Sequence, residues 1–130
     1  MSNVFVADTM AVVLRLERRK LPRQVRIIFE EAEQGTSTLF IPAMVLMEIG
    51  YLSEKRRIEA TLSGVRNYCN KHPEIHVLSI TQEIVEKCFT IDDIPELHDR
   101  LIAGTAYNKQ CPLITNDPLI TKSKFLSVIW

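Results

Sequence analysis

Short apolar runs alternate with longer stretches of helical periodicity along the whole chain, with no internal repeat and no low-complexity linker. Val4 to Ala7 lacks polar alternation, the pattern of a central strand covered on both faces, and it ends in Asp8. Thr9 is placed to cap a following helix, in which Ala11 and Leu14 are apolar and the last turn, through Lys20, is cationic, as the helix dipole favours. Leu21-Pro22 punctuates the chain. A second helix follows, with Val25, Ile28, Phe29 and Ala32 on one side and Gly35 as its stop, so that the two form a candidate hairpin. Thr38 to Ile41 reads as a second strand broken by Pro42, after which helical spacing resumes through Met44, Met47 and Tyr51. Another helix spans Ile58 to Asn70, Ile75 to Ile80 is a third strand, and Thr81 to Thr90 is helical again.

The stretch from Glu96 to Pro118 supplies one helix, one strand and a loop. Asp92 and Asp93 are available as caps, Pro95 occupies a first-turn position where its missing N–H costs nothing, and Leu97, Leu101, Ile102 and Thr105 recur at helical spacing. Pro112 marks the stop. Ala103, Gly104 and Ala106 are small enough to let the helix backbone approach a sheet closely. Leu113 to Thr115 is the apolar run of a buried parallel strand, and Leu126 to Trp130 is a fifth strand. Strands alternating with helices predict an α/β fold of three α/β/α layers around a central, mostly parallel five-stranded sheet, with right-handed crossovers.

Composition narrows the picture. With 130 residues, 46% hydrophobic and 25% charged, the chain is expected to form a single domain over residues 1–130. Its formal net charge is zero, so no global basic field attracts nucleic acid or an anionic membrane, and any such binding must come from local clusters. The first residues carry no cationic leader pattern, and no stretch approaches the length needed to cross a bilayer; the expectation is a cytoplasmic protein with no membrane partner. Cys69, Cys88 and Cys111 are odd in number, lack C-x-x-C spacing and read as buried free thiols.

The candidate chemistry lies in acids. Ligands of open α/β sheets bind beyond the carboxyl ends of the strands, where the strand order reverses. Asp8 and Asp117 each follow a predicted strand, and Glu48 and Asp99 can join them from neighbouring helices. Singly, each has a plain structural explanation: a cap for Asp8 and Asp117, a dipole partner for Asp99, a surface residue for Glu48. Glu48 resists it most, because it sits between Met47 and Ile49 in an apolar segment. Four converging carboxylates repel, and burial with like charge raises their pKa values unless a cation compensates. Oxygen donors without His or Cys select Mg²⁺ or Mn²⁺, and such a site suits in-line attack of an activated water on a phosphodiester.

The segments VFVADT, VLMEIGYL around Glu48, HDRLIAGTA and PLITNDPLI resemble, in order and spacing, the acidic elements of the PIN-domain family, especially the small VapC-type toxins of toxin–antitoxin systems. The resemblance covers essentially the whole chain. It implies a PIN-like fold and a Mg²⁺- or Mn²⁺-dependent endoribonuclease, with Asp8, Glu48, Asp99 and Asp117 as metal ligands, one of them available as a base, and Thr115 orienting a carboxylate or water. An RNA substrate, a cognate antitoxin and a homodimer are implied with it. An acidic pocket also suits an Arg or Lys of the antitoxin, placed near Asp8 and Asp99, with an apolar helix of that partner on the first helical hairpin.

Other residues modify this reading. Gly104 stands where the family usually carries Ala, a change that loosens the helix by about 0.8–1 kcal/mol without deleting chemistry. His98 adjoins Asp99 but points about 100° away on a helix, so it reads as a surface or RNA-contacting residue, and Glu96 reads as a solvated first-turn acid rather than an extra ligand. Arg15, Arg18, Arg19, Lys20, Arg23 and Arg26, with Lys55, Arg56 and Arg57, read mostly as solvated helix faces, one or two of them contacting substrate. Tyr51, Tyr68 and Tyr107 read as packing residues. Three alternatives stand beside the toxin nuclease: a catalytically idle PIN-like binding module, an RNA-processing PIN nuclease outside toxin–antitoxin systems, and a phosphoryl-transfer or phospho-receiver protein. The last lacks its motifs, since Met10 stands where an aspartyl phosphatase needs a second Asp.

Overall fold

In the computed structural model, residues 3–130 are described. Five strands, β1 (Val4–Ala7), β2 (Thr38–Pro42), β3 (Ile75–Leu78), β4 (Leu113–Ile114) and β5 (Val128–Ile129), form one sheet in the order β3-β2-β1-β4-β5, and every pair is parallel. Val6 lies opposite Phe40 on one side and Leu113 on the other. Seven helices connect them: α1 (Thr9–Leu16), α2 (Arg23–Gln34), α3 (Ala43–Glu54), α4 (Leu62–Lys71), α5 (Gln82–Cys88), α6 (Leu97–Lys109) and α7 (Pro118–Thr121).

The handedness of parallel crossovers sorts these helices. From β1 through β2 to β3 the chain steps one way and places α1–α4 on one face; the return to β4 and β5 steps the other way and places α5–α7 on the opposite face. Side chains fully buried between the layers include Val6, Leu39, Ile41, Leu113 and Ile114 of the sheet, Phe29 and Ile49 from the first helical layer, and Ile102 and Ala103 of α6. The strand order reverses at β1, between β2 and β4. The crevice beyond the carboxyl ends of β1 and β4 is therefore the switch point of the fold.

Several element ends differ from the sequence reading. Asp8, not Thr9, caps α1, its side chain accepting from the Ala11 N–H at 3.0 Å. That helix stops at Leu16: the Arg18 N–H bonds the Arg15 carbonyl, the Arg19 N–H bonds the Leu14 carbonyl, and Arg18 takes a left-handed φ of 55° where such endings favour Gly. Glu96, rather than Asp92 or Asp93, caps α6, and Pro95 precedes the helix; Asp93 instead accepts from the Ser123 hydroxyl and the Lys124 N–H, both at 2.8 Å. Gln110, in a left-handed conformation, ends α6 before Pro112 is reached. Thr61 delays the start of α4 to Leu62, Thr115 lies just past β4, and β3 and β5 are shorter than their apolar runs. α3 turns Val45 and Ile49 inward, so Met47 and Tyr51 are 70% and 56% exposed and its Met44, Met47 and Tyr51 series is not a core stripe. The three cysteines are free, but only Cys88 is buried, Cys69 and Cys111 being half-buried.

Gly104 has a packing reason. Here α6 approaches α5 closely: a Cβ would stand 3.2 Å from the Cys88 Cα and collide with its Sγ. Ala at this position gains about 1 kcal/mol of helix propensity but overpacks a buried contact, which costs about 1–3 kcal/mol. Gly104→Ala is therefore expected to lower stability by up to about 2 kcal/mol in urea unfolding, and Cys88→Ala in the same chain to restore part of it; a Gly104→Ala protein more stable than wild type would contradict this packing.

Candidate functional site

Beyond the carboxyl ends of β1 and β4 lies a cleft of about 430 Å³ whose lining includes Asp8, Glu48, Asp99, Asn116 and Asp117. Each carboxylate is brought there by a different local device. Asp8 ends β1, where its backbone N–H bonds the Ile114 carbonyl at 3.0 Å, and the cap it forms for α1 turns its side chain into the cleft. Asp117 follows β4 and caps α7, its Oδ1 accepting from Leu119 and Ile120 N–H groups at 2.8 and 3.3 Å. The short helix α7 is absent from the sequence reading, although Asp117-Pro118 is the pair expected of a cap followed by a first-turn proline. Glu48 comes from α3 and Asp99 from the first turn of α6, two helices that touch each other across this edge.

Two threonines fix two of the acids. The Thr115 hydroxyl, fully buried, donates to Asp8 Oδ2 while its oxygen accepts the Asp117 N–H at 3.1 Å, tying the two strand-end acids through one side chain. The Thr9 hydroxyl donates to Glu48 Oε1. Sequence reasoning assigned Thr9 to capping and missed this role. With Asp8 occupying the cap, Thr9 is the first helical residue, and its side chain is free to meet α3. Among the described residues the Asp99 carboxylate makes no hydrogen bond; its backbone N–H is the one that Glu96 Oε1 caps, at 2.8 Å. His98 Nδ1 lies 3.2 Å from Glu96 Oε2, so both neighbours of the motif are engaged with each other rather than with the cleft.

The electrostatics follow from this crowding. The Asp8 carboxyl is pushed up to about 6, first by burial and further by the charges of Asp117 and Glu48, against the opposing hydrogen bonds from Thr115 and the Ala11 N–H. Asp99 is also pushed up to about 6, again by burial first, then by the charges of Asp117, Glu96, Glu48 and Asp8. Among the described residues no Lys or Arg lines the cleft.

In the observed rotamers no three acidic, His or Cys side chains among the described residues stand close enough to hold one ion. The donor chemistry nevertheless fits a hard cation: every ionisable group lining the cleft is a carboxylate, and Glu48 Oε2, Asp117 Oδ2 and both Asp99 oxygens hold no protein donor among the described residues.

The PIN-domain family model matches residues 5–125, nearly the whole chain. The protein belongs to the PIN-domain family. Its fold is shared with solved structures of low sequence identity. The VapBC2 structure from Rickettsia felis bound to a promoter DNA fragment matches with a TM-score of 0.74 at 18% identity, covering 98% of each chain. DNA-bound VapBC from Salmonella typhimurium matches with a TM-score of 0.71 at 19% identity, over 99% of this chain and 98% of that one. A toxin–antitoxin complex from Klebsiella pneumoniae matches with a TM-score of 0.65 at 17% identity, over 96% and 95%. No curated protein sequence matches the chain. The all-parallel sheet and seven helices of this PIN domain thus agree with the fold class that the strand–helix alternation predicts.

Proposed function

We propose that this PIN domain, residues 1–130 read as one domain, is a divalent-metal-dependent endoribonuclease that hydrolyses RNA phosphodiester bonds, and that it is the toxin of a toxin–antitoxin pair. The observation that carries the reading is the convergence of Asp8, Glu48, Asp99 and Asp117 on one cleft at the switch point of the sheet, with Asp8 and Asp99 held near a pKa of 6 by burial and mutual repulsion. PIN domains are generally nucleases, which favours this over an idle binding module. The likeness to the toxin–antitoxin complex from Klebsiella pneumoniae favours a toxin over an RNA-processing nuclease.

Asp8, Glu48, Asp99 and Asp117 would hold Mg²⁺ or Mn²⁺, which when bound supplies activation of a water and neutralisation of charge on the leaving oxygen. The chain's own residues do the rest. Thr115 keeps Asp8 in one rotamer and Thr9 does the same for Glu48, so two ligands are oriented before a substrate arrives. Asp99, without a protein donor, is the acid free to reorient and to take a proton from the attacking water. Cleavage of RNA is expected to vanish in EDTA and to return with Mg²⁺ or Mn²⁺; undiminished cleavage after exhaustive chelation would remove the mechanism.

The α1–α2 hairpin offers little of the exposed apolar surface that the sequence reading assigned to an antitoxin helix: among the described residues Met10 is its one exposed large apolar side chain, and Ile27 and Ile28 of α2 line an open hollow with Val128, Ile129 and Trp130. Met47, Tyr51 and Leu97 are exposed instead, and the apolar hollow between Met47 and Tyr51 shares Glu48 and Leu52 with the acid cleft. That continuity supports a reading in which the antitoxin's apolar segment lies on α3, with its Arg or Lys reaching the carboxylates beside it. Light scattering of the chain alone and of a co-expressed pair measures the homodimer and the antitoxin complex.

A further inference from the structure

The charge of this neutral chain is not evenly spread. Two adjoining clefts at the far end of α1 share Arg15, Arg18, Arg19 and Arg26 and add Lys20, Arg23 and Lys71, seven of the sixteen Lys and Arg residues, while among the described residues Glu33 is the one acid lining either cleft. The larger, of about 670 Å³, lies between α1, α2 and α4.

Its acids are already spent on structure. Glu33 takes a two-pronged hydrogen bond from Arg15, at 2.8 Å from Nε and 2.6 Å from Nη2, and a further one from the Tyr68 hydroxyl. Glu17, beside the cleft, accepts the backbone N–H groups of Glu59 and Ala60 at 2.7 and 2.9 Å and stands 3.6 Å from Arg19. Arg18, Lys20, Arg23, Arg26 and Lys71 are exposed, and none has an ion-pair partner among the described residues. Five cations without an ion-pair partner across two adjoining clefts make a concentrated positive field on a chain whose sum is zero.

The anion that suits this recess is read by charge alone. A docked protein segment is anchored by apolar or aromatic side chains buried at its centre, and no large exposed apolar side chain lies here. Base stacking has few platforms here. Among the described residues Tyr68 and His72 are the aromatic side chains of the lining, both half-buried, the Tyr68 hydroxyl held by Glu33 and the two rings meeting edge to face at a centroid distance of 5.0 Å. Arg forks beside so little aromatic surface match a phosphate backbone.

We propose that these clefts form an RNA-backbone exosite at the opposite end of α1 from the carboxylates. α1 joins the two directly: Asp8 caps its start in the acid cleft and Arg15 stands in its last turn, eight helical residues spanning about 12 Å. RNA held at both ends is thereby gripped away from the scissile bond, and the exosite raises affinity without taking part in hydrolysis. The identity of the anion as RNA rests on the ribonuclease reading.

Arg18 makes a clean probe, because its left-handed φ of 55° suits Gly better than Arg, so Arg18→Gly removes charge without straining the turn. Binding of a fluorescent mixed-sequence 40-nucleotide RNA would be measured in EDTA for wild type, for Arg18→Gly/Arg23→Gln/Arg26→Gln, and for the charge-matched control Lys109→Gln/Lys122→Gln/Lys124→Gln. In about 0.1 M salt the exosite variant is expected to bind at least tenfold more weakly, and its slope of log K against log salt to fall by about 2, close to 0.7 for each of three lost phosphate contacts. The control is expected to stay within twofold of wild type. Equal weakening in both variants, or none in either, would overturn the exosite, as would unchanged RNA binding with loss of binding to a poly-Glu peptide, which assigns the recess to an acidic protein. Hydrolysis of bis(p-nitrophenyl) phosphate with Mn²⁺, a substrate too small to touch the exosite, is expected to be the same in wild type and exosite variant. Its loss in the variant alone would overturn the separation of the two sites; its absence in both would count against the nuclease while the binding comparison still decides the exosite.

Discussion

Asp99→Asn is expected to lower RNA cleavage by orders of magnitude while leaving the metal-free protein as stable as wild type or more so. The two halves of this result come from different facts. Asp99 is neither a cap nor a hydrogen-bonded structural acid, because Glu96 caps α6 and no donor among the described residues reaches the Asp99 carboxylate. Asn keeps its shape and removes one charge from a site that already holds that carboxyl near 6. The loss is a favourable first-turn dipole interaction of about 0.3–1 kcal/mol; the gain is relief from Asp117, Glu96, Glu48 and Asp8. With millimolar Mg²⁺ the wild type gains RT ln(1 + [L]/Kd), and the mutant gains less. Cleavage falls because a displaced ligand no longer positions the attacking water.

The same substitution at the other acids separates further. Asp8→Asn keeps the capping oxygen toward Ala11 but turns a donor toward the Thr115 hydroxyl, which now donates to Asp8, so part of the relief is lost to a mismatched contact. Asp117→Asn keeps a residue type that caps nearly as well, and stability should change by no more than about 0.5 kcal/mol. Thermal melts in EDTA and in Mg²⁺, with a cleavage assay, measure all three. Equal destabilisation of the three variants in both buffers with cleavage intact would make the acids architectural and end the nuclease assignment.

The acids were legible in the sequence because their placement depends on features that are local. A buried parallel strand announces itself as an unalternated apolar run, and the residue after it emerges at the carboxyl edge; Asp8 and Asp117 follow from that alone. What failed were choices among adjacent polar residues. Asp8 and Thr9 both cap well, and at α6 Glu96 caps although Asp92 and Asp93 are the better cap types, so the winner is set by where the strand or loop ends in space rather than by propensity. The inward face of α3 was not legible because its sequence is apolar almost all round, leaving no polar stripe to mark the outside; only packing puts Val45 and Ile49 inward and Met47 outward. Gly104 and the cationic recess are tertiary facts. One needs Cys88 of a helix sixteen residues earlier, and the other needs α4 to bring Lys71 beside α1 and α2.

The metal-free protein is expected to lose stability as pH rises from about 4.5 to 7, contrary to the habit of carboxylate-rich proteins. Asp8 carries the effect. Its ordinary pKa of 3.8 applies to the unfolded chain, and in the fold it is about 6, so the folded state binds this proton more tightly. Between the two values unfolding releases a proton, which means that stability falls with rising pH and levels off once the folded group has ionised. At about 1.36 kcal/mol for each pH unit the difference amounts to about 3 kcal/mol for Asp8. Asp99 adds in the same direction but is half exposed, so solvent screens most of its share. Glu17, Glu33 and Asp93 are held below their usual range by their hydrogen bonds and work oppositely, with their losses confined to pH below about 4.5, outside this window. Urea unfolding in EDTA at four pH values between 4.5 and 7.5, on wild type and on Asp8→Asn/Asp99→Asn, isolates the two groups by difference: the wild type should lose about 2–3 kcal/mol relative to the double variant across the window. Mg²⁺ should cancel the loss, since a cation binds the ionised acids and competes with the protons. A wild type that follows the double variant at every pH in EDTA would show that Asp8 and Asp99 titrate as ordinary surface acids, and the crowded carboxylate cleft would lose its electrostatic basis.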